Sequence, residues 1–374
     1  MKKVMERVSE VKRIFCGIDL HDQSMLAAIG IDKEAPSYRS YNTKEAEGVS
    51  ELIGHLKMVQ RSHPGSQVWA AYEASGCGFG LLDRLRKEGF LAEVLSPSHL
   101  PSSQKKRSEK TDKKDALVIL DALRSWALAG SRLPTVWIPP SALRDDREVV
   151  RRRLQLGEDL TQTKNRIHGF LKRWGHRRPE DLKTLWSKKY LRWLKELGLQ
   201  SSAGCASELG SLLRELEFRQ AEMELLDREL ERLSGREEYR VKVAALTEMV
   251  GVGVLTAMVF LTELGDLSRF PNRRALANYL GLTPRSFESG KQNDRKGHIS
   301  KLGPARVRKV LCQACWCLVR LDPYWRKWYQ GEGRRNRNDG KRKITAVMRR
   351  LGIIMWHTAL EAELGDLAEV VYGG

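Results

Sequence analysis

The sequence lacks several features that would assign it to common protein classes. No apolar run reaches the roughly 20 residues that a membrane-spanning helix needs, and the longest one lies around Met249–Leu261. The first residues, Met1–Arg13, are charged and lack the apolar core of a secretory signal peptide. Six cysteines in 374 residues are too few for a disulfide framework. We therefore expect a cytoplasmic protein without membrane attachment.

The scarce cysteines also argue against a zinc site. Cys312, Cys315 and Cys317 form the one C-x-x-C-x-C cluster of the sequence. No second Cys/His pair follows at the spacing of a metal site, and the cluster lies in an apolar helical run, Val310–Leu318. This pattern favours cysteines buried in a helix over structural zinc.

Acidic residues are few compared with basic ones. The chain has 66 Lys and Arg but 47 Asp and Glu, which gives a net charge of +19. Residues 269–350 hold 22 of the basic residues and 5 of the acidic ones, so this segment alone accounts for +17. An excess on this scale indicates a polyanionic partner. Its concentration in one region favours a dedicated phosphate-binding surface over general solubility.

Residues 14–130 alternate between strand-like and helix-like patterns, bounded by turn-forming residues. The predicted strands are Ile14–Leu20, Met25–Ile31, Tyr38–Asn42, Val68–Tyr72 and Leu91–Leu95. The predicted helices run from Asn42 or Thr43 towards Gln60, over Gly80–Lys87 and over Asp115–Ala129. Strands followed by alternating strands and helices predict an α/β domain, residues 1–135, with a mixed sheet and flanking helices.

Leu133–Pro140 contains three prolines and reads as a linker, after which the pattern is helical. Within residues 136–240, apolar residues recur in steps of three and four from Leu209 to Leu233, with Arg219 as the one polar interruption. A heptad seam of this length predicts a coiled coil and a homo-oligomer (a dimer or tetramer) held partly by it. The alternative is one long helix packed on its own domain.

The third predicted domain, residues 241–374, is helical and basic. Its first segment resembles a helix-hairpin-helix, with two helices meeting at the turn Gly251-x-Gly253. The bare backbone N–H groups of such a turn can approach a DNA phosphate at the N-terminus of the second helix. The alternative is an ordinary tight turn.

Four carboxylates occupy positions where an α/β sheet commonly builds an active site. Asp19 and Glu73 end two predicted strands, and Asp112 and Asp115 lie on one face at the start of a helix. Crowded carboxylates repel one another unless a cation neutralises them, and oxygen ligands favour Mg²⁺ or Mn²⁺. Two such ions about 4 Å apart would stabilise the attacking and leaving oxygens of a phosphodiester. The alternatives are solvated surface charges, or acids that favour a first helical turn.

These motifs, in their order along the chain, resemble those of the DEDD transposases of the insertion-sequence 110 family and the related Piv-type DNA invertases. The resemblance rests on Gly-Ile-Asp19, Glu73-Ala-Ser-Gly, Lys-Thr-Asp112-x-x-Asp115-Ala and Leu280-Gly-Leu-Thr-Pro284-Arg-x-x-Glu-Ser289-Gly. It covers nearly the whole chain. It implies a RuvC-like (RNase H-like) N-terminal domain, a helical middle with a coiled coil, and a C-terminal helical transposase domain.

The same resemblance assigns functional residues. It makes Asp19, Glu73, Asp112 and Asp115 the metal-binding tetrad and Ser289 the nucleophile, in a composite centre built from different protomers. The basic residues near the serine suit a phosphoryl nucleophile because they can hold the phosphate; these are Arg285, Lys291, Arg295, Lys296 and Lys301. His298 is the one nearby histidine that could act as a base, although a phosphate or structural contact is the more ordinary role.

The resemblance also implies DNA as donor and target, association with the bacterial nucleoid, and a structured bridge RNA that guides both DNAs. The segment Tyr324–Tyr329 interleaves aromatic with basic residues, and Arg334, Arg335 and Lys341 follow. This composition suits stacking on nucleic acid with phosphate contacts. For Trp325 and Trp328 the core face of a helix is an equal alternative.

Two rival functions fit the same residues. A metal-dependent junction resolvase would hydrolyse DNA at the carboxylates without a covalent step. A non-catalytic nucleic-acid-binding protein would keep the fold of a nuclease without its activity.

Overall fold

The structure is a computed structural model that describes residues 12–44, 47–100, 111–286, 296–330 and 340–372. The chain divides into two compact units, Met1–Ile138 and Pro139–Gly374, and each is described by itself. Among the described residues no helix is long and apolar enough to cross a membrane.

The first unit is built on one five-stranded sheet. Its strands are β1 (Arg13–Leu20), β2 (Ser24–Ile31), β3 (Ser37–Asn42), β4 (Gln67–Glu73) and β5 (Leu91–Leu95). They lie in the order β3-β2-β1-β4-β5, with β1, β2 and β3 antiparallel and β4 and β5 parallel to β1. The predicted mixed sheet is confirmed, and β1 lies at its centre.

Helices cover both faces of this sheet. They are α1 (Glu47–Arg61), α2 (Gly80–Lys87) and α3 (Asp112–Ala129), and the short turn of helix Pro97–His99 follows β5. Leu52 of α1 and Leu82 of α2 belong to the apolar cluster on one face. Ile119 and Leu120 of α3 pack with Phe15 on the other. Because both faces are covered, β1 is buried over most of its length instead of alternating between buried and exposed residues.

The segment after α3 runs beside β5, at one edge of the sheet. The Ser96 N–H donates to the Pro134 carbonyl at 2.7 Å, and the Val136 N–H donates to the Val94 carbonyl at 2.9 Å. Val136 and Ile138 pack against the first apolar cluster. Part of the predicted proline-rich linker is therefore paired with the sheet.

The second unit is helical apart from one small hairpin. Its elements are α4 (Ser141–Arg173), α5 (Lys188–Gln200), α6 (Ala203–Ser234), α7 (Glu237–Thr247), α8 (Val254–Leu264), α9 (Arg273–Tyr279), β6 (Pro284–Ser286), β7 (Lys296–Ile299), α10 (Ala305–Leu321), α11 (Pro323–Gln330) and α12 (Gly340–Tyr372). The mainly helical character predicted beyond residue 136 is confirmed.

The helix with the heptad pattern, α6, packs along α4 of the same chain. Arg153 of α4 contacts Asp227 at 2.5 Å, and Thr163 donates to Glu215 at 3.0 Å, so the two helices run antiparallel. Leu209, Leu213 and Leu216 are buried in a cluster shared with α4 and α5. Part of the heptad seam is thus covered within the chain.

An ion pair between the half-buried Arg151 and the buried Glu263 joins α4 to α8 inside the second unit. The Arg151 guanidinium donates to both carboxylate oxygens of Glu263, at 2.8 and 3.0 Å. Arg147 donates to the Thr262 and Glu263 carbonyls at 2.6 and 3.1 Å. Burial would raise the pKa of Glu263, but the hydrogen bonds and charge of Arg151 outweigh it and hold that pKa below its ordinary value. Glu263 is therefore a buried carboxylate that stays ionised.

Candidate functional site

Asp19 and Glu73 lie at the same edge of the sheet, at the carboxyl ends of two neighbouring strands. Because β1 and β4 are parallel and Ile18 pairs with Tyr72, the next residues along the two strands are Asp19 and Glu73. The side chain of Asp19 is 15% exposed. Ligands of open α/β sheets bind beyond this edge.

Helix α3 carries the other two carboxylates to this edge. It begins at Asp112, with Asp115 also in its first turn, and it packs on the face of the sheet that holds Phe15 and Ala71. Acids in a first turn also favour the helix itself, because they face the positive end of its dipole.

Gly17 allows α3 to approach β1 this closely. A Cβ atom at Gly17 would lie 2.3 Å from the Ala116 carbonyl oxygen and 2.4 Å from the Leu120 nitrogen. Both are backbone atoms, which have no rotamer by which to move aside. The glycine two residues before Asp19 therefore decides how near Asp112 and Asp115 come to it.

The described carboxylates do not all meet in one cluster. One ligand atom each of Asp19, His21 and Asp112 lies within 4.8 Å of the others. Glu73 and Asp115 are outside that group. Burial raises the pKa of Asp19 above its ordinary value; His21 opposes this, and the charges of Asp112 and Asp115 add to it. Asp115 is thus close enough to act electrostatically on Asp19.

His21 is the residue of this cluster that the sequence analysis did not select. Its Nε2 atom lies 3.2 Å from Oδ2 of Asp19. The Asp-x-His spacing is visible in the sequence, but His21 lies in the turn after β1, which ends at Leu20, so strand alternation alone does not predict the contact. A histidine two residues after a strand-end aspartate is a pattern that can be searched for directly.

The predicted nucleophile and several of the basic residues predicted to bind nucleic acid lie outside the described part of the chain. These are Ser289, Lys291, Arg295, Arg334 and Arg335, and of Lys296 only the backbone is described. The flanking strands β6 and β7 pair antiparallel. Arg285 is exposed and donates to the Ser300 carbonyl at 3.2 Å. Lys301, Lys341 and His298 are exposed as well.

The predicted Gly251-x-Gly253 turn joins α7 to α8. Gly251 has a φ of +84°, and a Cβ there would lie 2.7 Å from the Ala314 carbonyl oxygen. Both the positive φ and the close contact require glycine at this position. No atom lies within 4 Å of a Cβ built on Gly253, the residue before α8. The backbone at Gly253 is therefore open to a ligand, whereas Gly251 serves the packing on α10.

Some of the clustered cysteines and of the C-terminal aromatic residues lie in the core, and others lie at the surface. All three clustered cysteines are on α10, where Cys315 is buried, and burial raises the pKa of its thiol. Trp325 lies in the core, whereas Trp328 is half-buried against it. Tyr324 is exposed, with the Arg350 guanidinium 5.6 Å from its ring centroid.

Trp316 on α10, which the sequence analysis did not select, is 49% exposed. Its ring meets that of Tyr329 at 5.7 Å between centroids. Lys341, in the first turn of α12, is exposed as well. The described surface of residues 269–350 thus includes exposed aromatic rings as well as cations.

A five-stranded mixed sheet with strand-end acids, on the same chain as a basic helical unit, suits a protein that acts on a polyanion. Comparison with known proteins narrows this class. Residues 243–330 match the family model described as Transposase IS116/IS110/IS902 family, and residues 16–175 match the DEDD transposase model of IS110, described as Transposase. The two segments together account for about two thirds of the chain.

Individual relatives agree with the family models. The chain is 28% identical to the y4qE protein of Sinorhizobium fredii, over 83% of this chain and 73% of that protein. It is 25% identical to the transposase for insertion sequence element IS1533 of Leptospira borgpetersenii, over 82% and 85%. It is 27% identical to the transposase for insertion sequence element IS1111A of Coxiella burnetii, over 62% and 60%. The chain belongs to the IS110 family of DEDD transposases.

Proposed function

We propose that this chain is a transposase that cuts and rejoins DNA strands through a phosphoserine at Ser289, assisted by divalent ions at Asp19, Glu73, Asp112 and Asp115. The observation that carries the proposal is the meeting of Asp19 with Asp112 where α3 packs on β1. A surface acid that served only solubility would gain nothing from this close approach.

The donor set fits Mg²⁺ or Mn²⁺. Carboxylate oxygens are the ligands that these hard ions prefer. The raised pKa of Asp19 reflects burial and repulsion that a divalent cation would relieve. When bound, the metal supplies neutralisation of the charge that develops on the phosphodiester oxygens. The residues of this chain hold the carboxylates in place, and Gly17 sets the distance between the strand and the helix that carry them.

The covalent step conserves the phosphodiester bond energy. The hydroxyl oxygen of Ser289 bonds to phosphorus while the bond from phosphorus to a 3′ or 5′ oxygen of DNA breaks. The serine proton passes to a base or to water, and the leaving oxygen takes up a proton. Attack by a new strand end on the phosphoserine reverses the step, so no added energy is needed. Arg285 and Lys301 flank the segment that contains Ser289, and Lys291, Arg295 and Lys296 are its neighbours in the sequence. Cations near the reacting phosphate would stabilise its developing charge.

We further propose that the first unit is RuvC-like and that the chain has three domains, 1–135, 136–240 and 241–374. The strand order, with three antiparallel strands followed by two parallel to the first, supports the RuvC-like assignment. The separate apolar clusters around α5 and around α10 support a division of the helical part.

DNA and a guide RNA are the proposed partners, and a DNA-bound protein of this kind would accompany the nucleoid. The basic excess of residues 269–350 supports phosphate binding. The open backbone at Gly253 suits a phosphate contact, as do Lys341 and its sequence neighbours Arg334 and Arg335. Exposed Trp316 and Tyr324 support stacking on unpaired bases, the mode typical of single-stranded nucleic acids.

Self-association through α6 is also proposed. Between its buried ends, Phe218 and Leu225 are 65% and 52% exposed. The two side chains are seven residues apart, beside the heptad seam and not within it, and such an exposed apolar pair supports a contact of α6 with a second copy. We expect Phe218→Glu and Leu225→Glu together to lower the mass measured by light scattering, whereas a monomeric native chain would refute the contact.

The test combines the full chain with Mg²⁺, the end DNA of its element and RNA from the flanking non-coding region. A denaturing gel and mass spectrometry then detect a covalent protein–DNA adduct. We expect the adduct on Ser289 and its loss in Asp112→Asn, while Asp121→Asn, an exposed position on the same helix, retains it.

Two outcomes would replace this proposal by a rival. Cleavage without an adduct, retained in Ser289→Ala but lost in Asp19→Asn, would indicate a hydrolytic resolvase. If the chain binds nucleic acid but cleaves it under no condition, and substitution of the four acids leaves the binding unchanged, the chain is a non-catalytic binding protein.

A further inference from the structure

His21 stands in the acidic cluster but belongs to none of the four carboxylate positions. Its Nε2 atom lies 3.2 Å from Oδ2 of Asp19, and one ligand atom each of His21, Asp19 and Asp112 lies within 4.8 Å of the others. The side chain is 51% exposed, so it is reachable from solvent. An imidazole nitrogen among carboxylate oxygens gives the cluster a second kind of donor atom.

The turn that carries His21 is anchored through its backbone. The His21 N–H donates to the Ser24 carbonyl at 2.9 Å, and the His21 carbonyl accepts from Thr43 Oγ1 at 3.2 Å. The Thr43 N–H in turn donates to the Gln23 carbonyl at 3.2 Å. Both polar groups of the His21 peptide are therefore engaged, one within the turn and one by the residue after β3.

A second anchor comes from the loop that follows Glu73. The Cys77 thiol donates to Asp22 Oδ1 at 3.5 Å and lies 3.9 Å from the Leu20 carbonyl oxygen. The turn between β1 and β2 is thus tied to the loop after β4 as well as to β3. The imidazole is presented to Asp19 from a backbone fixed on two sides, as a metal ligand requires.

The spacing of the donor atoms suits a shared ion. Ligand atoms about 2.1 Å from an octahedral divalent ion lie about 3 Å apart when they are adjacent. Nε2 of His21 and Oδ2 of Asp19, which are hydrogen-bonded to each other in the structure, lie 3.2 Å apart, close to this value. Neutral imidazole is a common metal ligand through Nε2.

We propose that His21 is a ligand of the divalent ion at the Asp19–Asp112 cluster and that its nitrogen makes the site prefer Mn²⁺ to Mg²⁺. The inference rests on the metal site of the proposed function. Both ions accept carboxylate oxygens, but Mg²⁺ dehydrates reluctantly, so that replacing one of its waters by an imidazole nitrogen costs more than the same exchange at Mn²⁺. The same site with an oxygen ligand in place of the imidazole would lose this preference.

Pulsed electron paramagnetic resonance of Mn²⁺ bound to the full chain tests the ligand directly. A coordinated imidazole produces ¹⁴N modulation, which we expect in the native protein and not in His21→Ala. Titration of both ions should show that His21→Ala weakens Mn²⁺ binding by roughly tenfold or more, by analogy with other losses around metal sites, while Mg²⁺ binding changes much less. The matched control is His63→Ala, because His63 precedes β4 at the opposite edge of the sheet.

The outcomes distinguish a failure of the proposed role of His21 from a failure of the proposed metal site. Mn²⁺ binding that Asp19→Asn abolishes, but that carries no ¹⁴N modulation, would overturn the role of His21 and leave the metal site standing. Modulation that persists in His21→Ala would assign the nitrogen elsewhere and overturn it as well. If the native chain binds no Mn²⁺ or Mg²⁺, both the inference and the proposed metal site are refuted.

Discussion

Gly17 offers the sharpest test of how the acidic site is assembled, through the substitution Gly17→Ala. The added Cβ would lie 2.3 Å from the Ala116 carbonyl oxygen, whereas a carbon and a carbonyl oxygen ordinarily stay about 3.3 Å apart. Relief of this overlap requires α3 to retreat by about 1 Å, because the contacted atoms belong to its backbone. Asp112 and Asp115 are in the first turn of that helix and would move with it.

Two measured quantities should change together. Overpacking of this kind costs about 1–3 kcal/mol of stability, which denaturant unfolding would detect. A displacement of about 1 Å at reacting groups typically costs about 10²-fold in rate. We therefore expect strand joining to fall by about that factor, and Mn²⁺ affinity to fall by roughly tenfold or more.

Gly54→Ala is the matched control within the same unit. Gly54 lies in α1, and no atom is within 4 Å of a Cβ built there. Alanine in a helix interior is about 0.5–1 kcal/mol more favourable than glycine, so this variant should be as stable as the native chain or more so, with unchanged metal affinity. If Gly17→Ala behaved like Gly54→Ala in both assays, the direct packing of α3 on Gly17 would be refuted.

Three further predictions concern the helical unit. Glu263→Gln should lower the free energy of unfolding by at most about 3–5 kcal/mol, because it removes the charge that faces the half-buried Arg151 and the buried Arg147. Because the pKa of Glu263 is lowered, the native chain should exceed the variant in free energy of unfolding by the full amount above the ordinary carboxyl pKa, and by less as the pH falls through the lowered pKa. A difference in free energy of unfolding that does not change with pH would contradict this. Trp316→Ala should weaken single-strand binding by about 1–3 kcal/mol, measured by fluorescence anisotropy, whereas Trp174→Ala, 52% exposed and elsewhere in the unit, should not; equal losses would contradict it. DNA affinity should fall by roughly 10³-fold between 50 and 200 mM salt, and a flat response would exclude an electrostatic surface.

The sheet of the first unit was predictable because its strands carry local signals. Short strand-like segments bounded by turn residues marked all five strands, and β1 and β4 end at Leu20 and Glu73, at or next to the two predicted acids. Helix α3 begins three residues earlier than predicted, at Asp112, so both of its acids fall in the first turn. Local patterns suffice where one segment decides its own conformation.

Features that depend on distant partners were not predictable in the same way. A heptad pattern fixes which face of α6 is apolar but not which helix covers it, and α4 of the same chain covers much of it. Gly17 reads as an ordinary glycine until the backbone of α3 is seen against it. His21 became a site residue because a turn returns it to Asp19.

The strip of chain beside β5 also bears on how the first unit can be handled in isolation. An edge strand with unpaired backbone groups is a template for association with other chains. The bonds from Ser96 to Pro134 and from Val136 to Val94 occupy part of that edge. A fragment ending at Ala129 would leave the backbone groups of the β5 edge unpaired, and it would be prone to aggregate. A fragment extended to Ile138 would keep the segment that covers part of this edge.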